Sequence, residues 1–238
     1  MRAQIILSGV DAESFLQQLT TNDIRNLSGH LIYSLFLTPQ GKLLHDVFIT
    51  QIENKFIIDC YSEAVNEIIN LLNKYKLGSR VEIDISQKLF DLSEYDDPRH
   101  KKFGKYAFSN DLDIYYELRY PRLYIDFQTN EYFPFEIGYD QFNCISYNKG
   151  CYIGQEVITR THFRGVIRKK VYAVKVLEKI TNDHHEIFLS DQKVGVLLGN
   201  YGIKNGYTQY LALMNSEMLE KSNNFSLTLN CKTQIILN

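Results

Sequence analysis

The residues best suited to chemistry lie in one stretch, Asn148-Lys-Gly-Cys-Tyr-Ile-Gly-Gln-Glu-Val-Ile-Thr-Arg-Thr-His-Phe-Arg-Gly165. Its thiol, Cys151, is flanked by Gly150 and Gly154, which let backbone approach it closely. Gly154 is placed to start a helix running through Gln155, Glu156 and Arg160. A thiol near a helix N-terminus feels unpaired N–H groups and the positive end of the helix dipole. Lys149 stands two residues before it, and Arg160, His162 and Arg164 come after. These influences would push the thiol pKa below its reference of ~8.5 and enrich the nucleophilic thiolate. Each residue also has a plainer reading. A cysteine in a glycine-bearing loop is more often structural than reactive, and His162 is more often a solvated or hydrogen-bonded histidine than a general base. Glu156 and Arg160, at i and i+4, could form only a surface ion pair worth ~0–1 kcal/mol. Composition and spacing alone leave both readings open.

The elements that must position this stretch are legible from periodicity. Ala12, Phe15, Leu16 and Leu19 fall on one face of a short amphipathic helix over Asp11–Leu19, which Ser8 or Asp11 could cap. Leu31–Thr38 and Lys42–Thr50 read as a β-hairpin around Pro39-Gln40-Gly41, where proline presets the turn and glycine tolerates its exit. Phe56–Cys60 is a strand. Ser62 then opens a helix carrying Val65, Ile68, Ile69, Leu72 and Tyr75, which Gly78 can end in a left-handed conformation. Val81–Ile85 alternates as a strand does, and Lys88–Leu92 offers another, so residues 43–118 suggest a small α+β sandwich. Asp96-Asp97-Pro98-Arg99-His100 reads as a charged surface loop. From Arg168 the chain has no helical period. It offers Lys170–Leu177, Glu186–Leu189, Val194–Leu198, Thr208–Met214, Phe225–Leu229 and Thr233–Leu237 as short strands of a small barrel or sandwich.

Bulk composition narrows the function classes. A formal net charge of -2 argues against general nucleic-acid binding, which needs a basic excess to displace counterions. No stretch approaches the ~20 apolar residues that cross a bilayer. The N-terminus, Met1–Glu13, has too short an apolar run for a signal peptide and carries acids early, unlike a transit peptide. The four cysteines, Cys60, Cys144, Cys151 and Cys231, form no CxxC pair, so neither a disulfide framework nor a metal site made by this chain alone is expected. These features point to a reducing compartment, the cytoplasm.

Lys149-Gly-Cys-Tyr-Ile-Gly-Gln-Glu156 resembles the KGCYxGQE signature of the YgfZ branch of the YgfZ/GcvT family, and Thr161-His-Phe-Arg-Gly165 resembles the branch's residues just past that signature. Upstream, Asp11–Gln17 with Thr21-Asn22-Asp23 is similar to the family's N-terminal helix and loop. Thr38-Pro-Gln-Gly-Lys-Leu-Leu-His-Asp46 is similar to its first hairpin, and Phe135-Glu136-Ile-Gly138 to its folate-pocket segment. The resemblance covers nearly the whole chain and is weakest after Arg168.

That resemblance implies an α+β, GcvT-like fold of three parts around a central opening. The parts are a discontinuous folate-binding α+β domain (1–42 plus 115–166), a ferredoxin-like domain (43–114) and a C-terminal β-barrel (167–238). It implies tetrahydrofolate or a derivative as ligand, with Glu136 on the pterin and Asn22, Asp23 and Arg119 also lining the folate site. Two N–H bonds from a pterin suit a carboxylate well. Glu136 could also be a plain loop acid beside Pro134. The cluster Arg160, Arg164, Arg168, Lys169, Lys170 could steer an acidic group or be a solvated face.

The branch is linked to maturation or repair of 4Fe–4S enzymes, including a tRNA-methylthiolating one, so the implied partners are folate and iron–sulfur client or carrier proteins. Cys151 and Lys149 would do the chemistry, supported by Gly150, Tyr152, Gly154, Gln155, Glu156, Arg160 and His162. One cysteine can supply only one cluster ligand, so a cluster would be shared with a partner and no stable metal is expected on this chain. The aminomethyltransferase relatives carry an aspartate in an RDxLRxE-like segment. The matching stretch here is Tyr115-Tyr116-Glu117-Leu118-Arg119-Tyr120, with Tyr116 in the aspartate's place, which argues against glycine-cleavage activity. On a strand, alternation would point Glu117 elsewhere, and Tyr120-Pro121-Arg122-Leu123 replaces the branch's glycine-bearing turn. A one-carbon transferase on another acceptor and a non-catalytic adaptor for iron–sulfur clients stand as alternatives.

Overall fold

The computed structural model describes residues 1–27, 29–106, 111–177, 186–189, 192–220, 227–229 and 234–237. Along the chain run β1 (Arg2–Ser8), α1 (Ala12–Leu19), β2 (Ile32–Leu37), β3 (Leu43–Ile52), β4 (Lys55–Tyr61), α2 (Val65–Tyr75) and β5 (Glu82–Ile85). Two helices come next, α3 (Leu112–Glu117) and α4 (Gln155–Arg164). The rest is β6 (Lys169–Val176), β7 (Glu186–Leu189), β8 (Gln192–Lys204), β9 (Tyr207–Asn215), α5 (Ser216–Glu220), β10 (Leu227–Leu229) and β11 (Gln234–Leu237). The chain divides into two compact units: residues 1–109 with 140–163, and residues 110–139 with 164–238.

The first unit is built on an antiparallel five-stranded sheet in the order β2-β3-β4-β1-β5. The β2–β3 hairpin closes as its sequence dictates: Gly41 takes φ +84° and its N–H donates to the Thr38 carbonyl at 2.8 Å. Strands β2, β3 and β4 are buried along most of their length, which suits their near-continuous apolar runs. α1 buries Ala12, Phe15, Leu16 and Leu19, the face that its period predicts, and α2 buries Val65, Ile68 and Leu72. Fully burying one such side chain contributes roughly 1.5–3 kcal/mol, so these stripes hold the helices in place. The 42/43 boundary implied by the resemblance falls inside the β2–β3 hairpin, whose strands share this one sheet.

Several local expectations need correction. Neither Ser8 nor Asp11 caps α1: Ser8 ends β1, and the Asp11 carboxylate accepts from Arg80 N and Nε at 2.8 and 3.1 Å. Residues 88–92 form no strand. The Gln4 amide reaches across to this segment instead, accepting from Phe90 N at 2.7 Å and donating to its carbonyl at 3.0 Å. The 96–100 loop is not a solvated run: Asp97 and Arg99 are buried, paired at 2.7 Å, with the guanidinium over the Phe103 ring at 4.1 Å.

In the second unit the predicted C-terminal strands close into a barrel in the order β10-β11-β6-β9-β8-β7, whose interior holds Val174, Val176, Ile187, Leu197, Tyr210 and Met214 among others. Phe225, Cys231 and Thr233 lie outside the described residues. α5 was not foreseen from the sequence. Nor was α3: Tyr115–Glu117 is helical rather than extended, so strand alternation does not govern where Glu117 points. The Tyr120–Leu123 turn is held by polar side chains where a glycine was expected. Arg122 donates to both Asp126 oxygens, at 3.1 and 3.0 Å, Tyr201 donates to Asp126, and Tyr139 donates to the Pro121 carbonyl at 2.7 Å. Gly199 leaves the space Asp126 fills, since a Cβ there would stand 1.9 Å from the carboxylate.

Candidate functional site

The site is a loop laid on a scaffold. Residues 143–153 are stitched to the end of α1 and the turn after it. Thr21 is the central pin: its Oγ1 donates to the Cys144 carbonyl at 2.6 Å and accepts from Leu35 N at 2.9 Å. Its carbonyl accepts from Ser146 N at 3.0 Å. Asn22 extends the seam, donating through Nδ2 to the carbonyls of Tyr33 (2.8 Å) and Asn143 (2.7 Å) and accepting from Asp23 N. Nearer the cysteine, Ile153 N donates to the Gln18 carbonyl at 3.1 Å.

Lys149 is the unexpected member of this seam. It is buried, and its Nζ donates to the carbonyls of Thr20 at 2.6 Å and Asn22 at 2.7 Å. Burial holds its pKa down to about 7, although the Asp23 carboxylate pulls the other way. The ammonium is thus committed to tying the cysteine loop to the turn after α1, 5.2 Å above the Tyr152 ring. Tyr152 is buried beneath it, and burial pushes its phenol up.

Asp23 is equally committed. It accepts from Gln17 Nε2, Arg25 N, Arg25 Nε and Arg25 NH2 at 2.8, 3.1, 2.9 and 2.6 Å, and these contacts hold its carboxyl far below the usual range.

On this mount Cys151 is exposed, whereas Cys60 and Cys144 are buried. Burial pushes the Cys60 thiol up to about 12 and the Cys144 thiol up as well. Cys151 borders a groove of about 650 Å³, walled on one side by Glu13, Gln17 and Gln18 of α1 and on the other by Gly150–Ile153. The two motif glycines differ in purpose. Gly150 has nothing within 4 Å of an added Cβ, so that side of Cys151 is open. Gly154 has φ +82°, and a Cβ there would stand 2.7 Å from the Thr38 carbonyl. Gly41 answers it, since its own Cβ would lie 2.8 Å from that of Val157. The hairpin turn and the start of α4 therefore dock through two glycines, and α4 begins at Gln155 as the sequence predicts.

Of the remaining residues, Glu156, Arg160 and His162 are exposed on α4, and the His162 ring stacks on Tyr147 with centroids 3.8 Å apart. Glu136 and Arg119 belong to the second unit. Glu136 accepts from Phe133 N at 3.0 Å through one oxygen, while the other lies 3.8 Å from the Lys169 ammonium. Arg119 is exposed just after α3 with φ +54°. Among the described residues no three His, Cys, Asp or Glu side chains are grouped to hold a metal ion. Thr21, Gln17 and Gln18 were missed as architects of the site. Apart from the resemblance of Asp11–Gln17 and Thr21-Asn22-Asp23 to the family's N-terminal helix and loop, the sequence signal was a hydroxyl pair, Thr20-Thr21, between a helix end and an Asn-Asp turn.

Comparison with known proteins places these features. Residues 2–92 match the family model described as the GCVT N-terminal domain. The chain is similar to the mitochondrial iron–sulfur cluster assembly factor IBA57 homolog of Dictyostelium discoideum, at 28% identity over 73% of this chain and 60% of that protein. It is similar to the mitochondrial iron–sulfur cluster assembly factor IBA57 homolog of Mycosarcoma maydis at 27% over 71% and 54%, and to mitochondrial IBA57 of Mus musculus at 28% over 74% and 64%. The chain thus spans under two thirds of the length of these curated relatives. Among solved structures it is similar to glycine cleavage system aminomethyltransferase T from Bartonella henselae, with a TM-score of 0.74 and 12% identity over 99% of this chain and 82% of that one. The chain therefore has a GcvT-like fold, and its residues 2–92 match the GCVT N-terminal domain.

Proposed function

We propose that this protein is a folate-binding accessory factor for the maturation or repair of 4Fe–4S proteins, acting in the cytoplasm as a member of the YgfZ-like branch. In this reading Cys151 lends one thiolate to a cluster shared with a client or carrier protein, tRNA-methylthiolating enzymes being among the clients. The observation that carries it is the exposed thiol on an otherwise tightly bonded loop, open on its Gly150 side. The relatives named as iron–sulfur cluster assembly factors support the process. A cluster is cargo here, and a single accessible thiolate suits transient shared ligation.

A bound reduced folate would supply one-carbon or redox chemistry at its pteridine ring. Glu136 fits a folate, because one of its oxygens accepts no hydrogen bond among the described residues, lies 3.8 Å from the Lys169 ammonium and can accept pterin N–H groups. Asn22 and Asp23 serve the loop with the contacts described above and are proposed as its frame. Tyr116 supports an accessory role over aminomethyl transfer: it brings no carboxylate, and its hydroxyl donates to the Val174 carbonyl at 3.2 Å.

The test is rescue of 4Fe–4S-dependent tRNA methylthiolation in a bacterial host lacking its own relative. Wild type and Cys151→Ser are compared at matched protein levels. Wild type should restore the modification and the serine variant should not. Equal rescue would discard the thiol and leave a non-catalytic adaptor.

A further inference from the structure

The groove beside Cys151 has a wall of polar groups that cluster ligation does not use. Its volume of about 650 Å³ falls within the ~300–1,000 Å³ typical of small-molecule sites. On α1 the i, i+4 spacing sets Glu13 beside Gln17, and both line the groove together with Gln18 and Arg25.

Arg25 is fixed from behind. The Gln17 amide accepts from Ile24 N at 3.0 Å and donates to Asp23 at 2.8 Å, and Asp23 in turn takes the Nε and NH2 donors of Arg25. That clamp occupies one edge of the guanidinium and leaves NH1 uncommitted among the described residues, on a side chain 55% exposed. The Arg25 pKa is raised, first by its bonds to Asp23 and further by the Glu13 carboxylate, so the Glu13 charge lies near the guanidinium. Glu13 itself is exposed and pairs with no cation at ion-pair distance among the described residues.

The groove therefore presents one uncompensated carboxylate close to one pre-set guanidinium edge. That combination complements an α-amino acid head group, which carries its ammonium and its carboxylate on a single carbon. The facing wall bears the exposed Cys151 thiol and the open side of Gly150. The volume is several times that of a free amino acid and suits a short peptide.

We infer that this groove binds a γ-glutamyl thiol peptide of the glutathione class. Glu13 takes its ammonium, Arg25 its α-carboxylate and the Gln18 amide its peptide groups, with the ligand's sulfur toward the Cys151 rim. Binding requires neither folate, client nor the Cys151 sulfur. Its use rests on the function proposed above, in which the bound thiol gives a shared cluster a second sulfur ligand.

The probe is S-methylglutathione, which keeps the head group and cannot form a disulfide. It is titrated into the full chain and followed by calorimetry and amide chemical shifts. A Kd between ~10 µM and ~1 mM is expected, with shifts concentrated at residues 13–18, 25 and 150–153. N-acetylation of the probe removes its ammonium and should weaken binding about tenfold, as should Glu13→Gln with the unmodified probe. The two losses should not add, because both remove the same contact. Arg25→Gln should weaken binding by a similar factor, and Cys151→Ser should leave the Kd within about twofold of wild type. If Arg25→Gln loosens the Asp23 turn, the cycle at the exposed Glu13 decides alone. No saturable binding at ~10 mM, equal binding of the acetylated probe, additive losses, or dependence on Cys151 each overturns the inference. No cluster or client takes part, so failure here leaves the methylthiolation rescue untouched, and failure of that rescue leaves the binding result standing.

Discussion

Thr21→Val isolates what holds the cysteine loop in place. The substitution keeps the branched shape and removes a hydroxyl that serves two buried partners, the Cys144 carbonyl at 2.6 Å and the Leu35 N–H at 2.9 Å. Thr21 is fully buried, so water does not replace either bond. Each orphaned buried group costs about 1–3 kcal/mol, giving a loss of about 2–6 kcal/mol for the pair, with under ~1 kcal/mol returned by the added methyl. At a urea dependence of ~1–3 kcal/mol per molar, a loss near 3 kcal/mol lowers the midpoint by ~1–3 M. Because the chain has two units, the unfolding curve is paired with amide exchange read at Leu35 and Ser146 in the first unit. Both amides should exchange faster by the factor that the lost stability implies. Thr21→Ser keeps the hydroxyl and should recover most of the loss. A valine variant with an unchanged midpoint, or a serine variant as weak as valine, would refute the assignment of Thr21 as the pin.

Gly154→Ala should cost at least ~2 kcal/mol in chemical unfolding, because it combines a left-handed backbone with a 2.7 Å approach to a carbonyl, whereas Gly150→Ala should stay within ~0.5 kcal/mol of wild type. Asp97→Ala leaves the buried Arg99 guanidinium without its carboxylate, and a loss of ~3–5 kcal/mol is expected from the same measurement. His45 supplies a pH test. Burial holds its pKa down to about 4 from 6.5, so between those values the unfolded chain binds the extra proton and stability falls as pH falls. The full depression is worth roughly 3 kcal/mol, less what the exposed Glu67 carboxylate 3.8 Å away returns. His45→Gln should flatten stability between pH 6.5 and 4; an unchanged slope would count against a neutral buried imidazole.

Much of this architecture was legible because local rules and tertiary packing agree. The α1 face, the Pro39-Gln40-Gly41 turn and the start of α4 after Gly154 each derive from period or turn chemistry. The failures share a cause. Lys149, Asp97 and Arg99 are charged, and charge reads as solvent exposure until a long-range partner is known. Their partners, two backbone carbonyls for the lysine and each other for the loop pair, are tertiary facts. Tyr115–Glu117 went the other way: aromatic residues suggest a strand, and packing made a helix of them. Thr21 was invisible as an organiser because a threonine after a helix end is ordinary until the loop carrying Cys144 is folded against it.

The distribution of polar contacts separates the residue that can act from those that hold it. Lys149, Thr21, Asn22 and Asp23 surround the loop with donors and acceptors, and each is committed to a bond within the scaffold. A nucleophile in an enclosed active site calls for an adjacent base kept within hydrogen-bond reach. Lys149, the nearest sequence candidate, instead donates to two carbonyls, and withdrawing it would unstitch the loop it anchors. Cys151 stands apart from this network, on the open rim of its groove. A rigid mount beneath an accessible thiol places the ligand atom for an incoming partner at low entropic cost, because the loop is already ordered before the partner arrives. Loosening the mount, by Thr21→Val or Gly154→Ala, should therefore weaken function in the rescue assay even with Cys151 intact. The loss should track the loop's amide exchange rather than the chemistry of any base.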